Sequence, residues 1–146
     1  MVVDASVVLK WLLAEEYRAE ARSLLTDLIN AGEAALGPSL LPAEVTNALF
    51  QQVRRGSITR AEAEQALALF LRLPATLLSP PDLYPRAFAF AATHQLTKTY
   101  DALYVALAHL VSGDLWTADE RLVNTLQPIA PWVRFIGDYP RPASTS

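Results

Sequence analysis

Four acidic residues stand where this sequence changes character. Asp4 follows the β-branched pair in "MVVDASVVLKW", and Glu44 lies early in "PAEVTNALFQQV". Asp101 opens the apolar run "YDALYVALAHL", and Asp119 comes directly after "LWTA" in "LWTADERL". Carboxylates brought together repel, and one or more keeps its proton unless something neutralises the group. A hard divalent cation such as Mg²⁺ does so, taking oxygen ligands and retaining several waters. Water bound to such an ion has a lowered pKa and attacks a phosphodiester, while the ion also stabilises charge on the phosphate. Each acid also has an ordinary role when taken alone. Asp4 caps a helix, Asp101 and Asp119 favour the positive ends of helix dipoles, and Glu44 is a solvated helix residue.

The elements needed to position these acids follow from hydrophobic periodicity and breaker residues. Val2 and Val3 read as a short buried strand, and "SVVLKWLLAEE" (6–16) as the helix after it. "YRAEARSLLTDLINAG" is a second helix with a C-terminal glycine, and "EAALG" a second strand. Pro42 opens the helix of "PSLLPAEVTNALFQQVRRG", whose apolar face carries Val45, Ala48, Leu49 and Val53. Glu44 aligns with Asn47 and Gln51 in a polar seam beside that face. Thr59 and Glu62 have capping-box spacing at the start of "TRAEAEQALALFLRLP". "ATLLSP" is the third strand, and "DLYPRAFAFAATHQ" a helix entered through Asp82. "TYDALYVALAHLVSG" is apolar nearly all round and reads as a buried helix with Thr99 available as its cap. "DLWTA", "DERLVNTL" and "WVRFIGD" give a strand, a short helix and a fifth strand. Strands alternating with helices imply parallel pairing, and the expected architecture is a three-layer α/β/α sandwich. Asp4 and Asp119 then end strands whose carboxyl ends converge on one crevice.

Composition excludes most rival chemistries. There are no cysteines among the 146 residues, so no disulfide framework, thiolate nucleophile or thiolate metal site exists. The lack of cysteine suits a reducing cytoplasm. His94 and His109 are too far apart in sequence for a helical metal pair and read as structural or surface residues. No "GxSxG" surrounds Ser6, and no glycine-rich phosphate loop occurs. A receiver-like module would want an acidic pair after the first strand and a late lysine, but the only lysines are Lys10 and Lys98. The net charge of −3 argues against wrapping nucleic acid by bulk electrostatics, while allowing a local basic strip. Arg54 and Arg55 end the Glu44 helix and Arg60 follows; they either contact phosphate or face solvent. No apolar stretch reaches the ~20 residues of a membrane span, and no secretion signal is visible. "LALFLRL" and "RAFAFAA" carry more large apolar residues than one buried helix face needs, so they serve either the core or an interface.

The fragments "VVDASVVLKWLLAEE", "LLPAEVTNAL", "YDALYVALA" and "LWTADERL", in that order, resemble the PIN-domain nucleases, and in particular the VapC toxins of prokaryotic toxin–antitoxin pairs. The resemblance spans 1–137, leaving 138–146 as an expected loose tail. It implies a five-stranded parallel sheet and an Mg²⁺- or Mn²⁺-dependent endoribonuclease that leaves a 5′-phosphate and a 3′-hydroxyl. Asp4, Glu44, Asp101 and Asp119 match the family's acidic quartet. Ser6 and Thr117 match hydroxyl residues that hydrogen-bond carboxylates or metal-bound waters, and Asn47 matches a polar position near the second acid. The implied partners are RNA, a cognate antitoxin and a second copy of the chain. The rival functions are a non-catalytic binding module on the same scaffold and a nuclease of RNA maturation.

Overall fold

The computed structural model describes residues 1–143. Five parallel strands form one sheet: β1 (Val2–Val3), β2 (Ala35–Pro38), β3 (Ala75–Leu78), β4 (Leu115–Thr117) and β5 (Val133–Phe135). Their order is β3-β2-β1-β4-β5. The chain therefore builds outward from β1 to β3, returns across the sheet, and adds β4 on the other side of β1. That reversal between β1 and β4 is the switch point at which open α/β sheets leave a crevice at their carboxyl ends.

Among the described residues seven α-helices cover the sheet: α1 (Ala5–Leu12), α2 (Arg18–Asn30), α3 (Leu41–Arg54), α4 (Arg60–Phe70), α5 (Leu83–Thr93), α6 (Tyr100–Leu110) and α7 (Glu120–Leu126). α6 lies against β1, β2 and β4 and is backed by α5. α1 touches β4 and gathers α2, α3 and α4 about it. The result is the expected three-layer α/β/α fold with a five-stranded parallel sheet. A strand covered on both faces must be apolar on both. Val2, Val3 and Leu115 are accordingly fully buried, as is Thr117, the one polar residue of β4. On α6 the run Tyr104–Ala108 is buried, in keeping with its all-round apolar sequence. In β2, Gly37 leaves room for Leu41, whose Cδ2 lies 2.6 Å from where a Cβ would stand, so α3 seats closely on the strand.

Local signals act as expected in α4, where Thr59 and Glu62 form a complete capping box. Three expectations need correction. The helix expected over 6–16 occupies only Ala5–Leu12, because Leu13 turns extended and Tyr17 adopts a left-handed conformation that redirects the chain into α2. Thr99 and Asp82 hold the N-cap positions of α6 and α5, but both have helical backbone angles and neither makes a side-chain cap bond. The tail expected to be loose from 138 packs on α2 instead. Tyr139 is buried and donates to Asp27 at 2.6 Å, and Arg141 pairs with buried Glu20 at 2.5 Å. The end of that tail, 144–146, lies outside the described residues. No helix among the described residues is long and apolar enough to cross a membrane.

The apolar surplus of α4 and α5 does not all enter the core. Phe70 and Ala87 are buried, whereas Leu69, Leu71 and Phe88 are exposed.

Candidate active site

Strand register explains how Asp4 meets its partners. Val2 pairs with Leu115 and Val3 with Trp116, so Asp4, the next residue on one strand, comes level with Thr117 on the other. Thr117 Oγ1 donates to Asp4 Oδ2 at 2.5 Å, and Ser6 Oγ donates to Asp4 Oδ1 at 2.5 Å. Each hydroxyl has its direction set by the backbone. Ser6 Oγ accepts from the Ala118 amide at 2.9 Å, and Thr117 Oγ1 accepts from the Asp119 amide at 3.1 Å. The one proton of each hydroxyl is thus turned toward Asp4. Asp4 also caps α1 by accepting from the Val7 amide at 3.3 Å, so the capping role and the crevice position coexist in one side chain.

The other acids arrive from three helices. Asp119 caps α7, accepting from the Leu122 amide at 3.1 Å. Asp101 stands exposed in the first turn of α6. Glu44, in the first turn of α3, accepts from the hydroxyl of Tyr104 at 2.5 Å. Tyr104 follows Asp101 by three residues on α6 and therefore shares its face.

These groups feel one another's charge. Burial lifts Asp4 from 3.8 to about 6; the bonds from Ser6, Thr117 and Val7 oppose the rise, and the charge of Asp101 adds to it. Burial likewise raises Glu44, with Tyr104 opposing and Asp101 adding. Asp101 is raised by its surroundings and then by Asp119, while Lys98 pulls it down. Burial, and then the bond to Glu44, pushes the Tyr104 hydroxyl well above its ordinary value, so it remains a donor. An array of carboxylates that resist losing their protons is one that gains from a cation.

The donor set fits a hard divalent ion: carboxylate oxygens, hydroxyls behind them, and no nitrogen or sulfur ligand. Among the described residues no three His, Asp or Glu side chains form a ready-made cage.

Residues 1–125 match the family model of the PIN domain. The chain belongs to the PIN-domain family. Its relatives include a VapC ribonuclease of Mycobacterium bovis, Mb0985, 34% identical over 131 residues, which cover 90% of this chain and 94% of that protein. Ribonuclease VapC3 of Pyrobaculum aerophilum is 32% identical over 126 residues, covering 85% of this chain and 92% of its own. Ribonuclease VapC3 of Mycobacterium tuberculosis is 36% identical over 125 residues, covering 85% of each. The crystal structure of PAE2754 from Pyrobaculum aerophilum shares the fold, with a TM-score of 0.67 and 24% identity over 93% of this chain and 88% of that one.

In this PIN domain Asp101 links the acids by charge, acting on Asp4 and Glu44 and feeling Asp119, and Ser6 and Thr117 stand behind Asp4. Asn47 does not join them by hydrogen bonding. It is exposed one turn along α3 from Glu44 and, among the described residues, its side chain makes no hydrogen bond; it borders a shallow groove with Pro42, Thr46 and Phe50. Arg54 and Arg55 sit at the far end of α3, ten residues and roughly 15 Å along the axis from Glu44. Arg60 is engaged by Glu64 at 2.6 Å. The arginines are thus outside the acidic crevice. Tyr104 is the residue that sequence reasoning passed over. An aromatic inside an apolar helix reads as core, and its only signal is the i+3 spacing from Asp101.

Proposed function

We propose that this PIN domain is an endoribonuclease that hydrolyses RNA phosphodiester bonds with Mg²⁺ or Mn²⁺, and that it is the toxin of a VapBC-type pair. The position of Asp4 at the switch point, with Asp101 coupled by charge to Asp4, Glu44 and Asp119, supports the reading. The kinship with VapC ribonucleases gives the acids an RNA substrate. Asp4, Asp101 and Asp119 would hold the ion directly or through water, and Glu44 would serve as a further ligand or as the orienting base. A bound divalent ion supplies a water of lowered pKa and a positive charge beside the phosphate. Ser6 and Thr117 fix both oxygens of Asp4. Tyr104 takes Oε1 of Glu44 and leaves Oε2 to orient a water or receive its proton.

The pair implies an antitoxin that silences the site, and the family habit implies a homodimer, both in the cytoplasm. Exposed Phe50, Leu71 and Phe88 supply apolar surface for such contacts. Arg54, Arg55 and Arg60 are suited to phosphates of RNA lying beyond the crevice.

The test is cleavage of defined RNA by the purified chain with Mg²⁺, with Mn²⁺ and with chelator. Products carrying a 5′-phosphate are expected only with a divalent ion. Asp4→Asn and Asp101→Asn are expected to stay folded and yield none. Undiminished cutting by folded Asp4→Asn, or cutting in chelator, would defeat the assignment.

A further inference from the structure

A groove of about 320 Å³ runs between α5 and α6 and has no part in the chemistry above. Both histidines of the chain line it. The His94 ring lies 4.6 Å from that of Phe90, and the His109 ring lies 4.5 Å from that of Trp132. Trp132 is fixed in place, because its indole N–H donates to the Val105 carbonyl at 3.0 Å. Arg86, exposed on α5, is the third ionisable residue of the lining, and no carboxylate is among the lining residues. In a chain with 15 acids against 12 Lys and Arg, a groove whose ionisable lining residues are all of basic type is a local exception.

One end of the groove lies beside the connection that enters α6 just before Asp101. α5 and α6 pack together and are joined by a short connection, so the His94 end adjoins the segment that carries Lys98. The charge of Lys98 acts on Asp101. At the other end His109 lies eight residues beyond Asp101, roughly 12 Å along α6. A few nucleotides of extended strand span that distance.

We propose that the groove between α5 and α6 holds single-stranded RNA flanking the bond that is cut, with phosphate against Arg86 and base faces on the His94–Phe90 and His109–Trp132 pairs. The inference rests on the ribonuclease reading for its substrate. Guanidinium matches phosphate geometry. Stacking accepts any base, so such a track grips RNA without selecting its sequence. RNA meets both features of the groove, offering bases to the flat rings and phosphate to Arg86, with no lining carboxylate to repel it.

The experiment measures binding of a labelled single-stranded RNA to the full chain in chelator, where nothing is cleaved. Arg86→Ala with His109→Ala is expected to weaken binding roughly tenfold. Arg86→Ala alone should make the salt dependence shallower by about 0.7 in log–log slope, the loss of one phosphate contact. Arg86→Lys should keep the charge and His109→Phe the flat ring, so each should restore part of the affinity. RNA bound equally well by wild type and the double variant overturns the proposal, as does a wild-type chain that binds no RNA. So does a double variant that alters only self-association or only antitoxin affinity, since the groove would then belong to a protein contact. Wild-type cleavage with an unaffected double variant sinks the groove and leaves the ribonuclease standing. RNA binding lost in the variant of a chain that never cleaves does the reverse.

Discussion

Thr117 Oγ1 donates to Asp4 Oδ2 across 2.5 Å, joining residues 113 positions apart. The bond ties the carboxyl ends of the two strands that flank the switch point. It exists because parallel register brings Thr117 level with Asp4, and because the Asp119 amide occupies the acceptor side of the hydroxyl.

Thr117→Val keeps the shape of the side chain and removes that hydroxyl. Asp4 then loses a donor and the Asp119 amide loses its acceptor. We expect stability to fall by about 1–3 kcal/mol and RNA cleavage to fall at least tenfold. Denaturant titration and initial rates measure the two. Unchanged kcat would show that the bond serves the fold alone.

Acidity gives a second prediction. Asp4 holds its proton up to about 6 in the fold, against an ordinary value of 3.8. The folded state therefore binds this proton more readily than the unfolded chain. The stabilisation is complete below the ordinary value and is lost as pH rises through about 6. Above that, the metal-free protein carries a buried charge that costs on the order of 3 kcal/mol. Glu44 and Asp101 are displaced in the same direction. In chelator the protein should melt higher at mildly acidic pH than at neutral pH, and Asp4→Asn should flatten that difference. Millimolar Mg²⁺ or Mn²⁺ should raise the neutral melting temperature of the wild type by linkage. A melting temperature indifferent to pH, chelator and metal would count against the cluster.

Tyr104 offers a third. Tyr104→Phe deletes only the hydroxyl that donates to Glu44. A hydrogen bond to a charged group contributes about 1.5–3 kcal/mol, so a loss of roughly tenfold or more in kcat is expected with the fold intact. Full activity would assign Tyr104 to the core alone. A shifted pH–rate profile would mark its influence on Glu44.

The tail gives a fourth. Glu20 is buried, and although burial alone would raise its carboxyl, its own backbone amide and the Arg141 guanidinium hold it below its ordinary value. Arg141→Ala removes the partner and should lower stability by about 1–2 kcal/mol without touching the acids. An unaltered denaturation midpoint would make the contact incidental.

What was legible in the sequence follows from which signals are local. Strand–helix alternation revealed the layers, and Thr59 with Glu62 revealed the start of α4. The four acids stood out because three of them open or precede helices and two follow buried strands. The limit of α1 was hidden, since "LLAEE" remains helix-compatible and only Tyr17, wedged edge-on against Phe135 at 5.0 Å, explains the turn. Tyr104 was hidden because its partner lies 60 positions away. Whether Arg54 and Arg55 contact phosphate or face solvent was left open by a shared helix with Glu44, and helix length places them roughly 15 Å from it.

The central place of β1 has a consequence for synthesis. β1 is made before both of its sheet neighbours, and one of them, β4, follows only when residue 115 is reached. Until then the middle of the sheet has an open edge, and neither Thr117 nor Asp119 exists to complete the acidic crevice. A nascent or stalled chain ending before β4 therefore lacks both the hydroxyl that orients Asp4 and the acid that follows it.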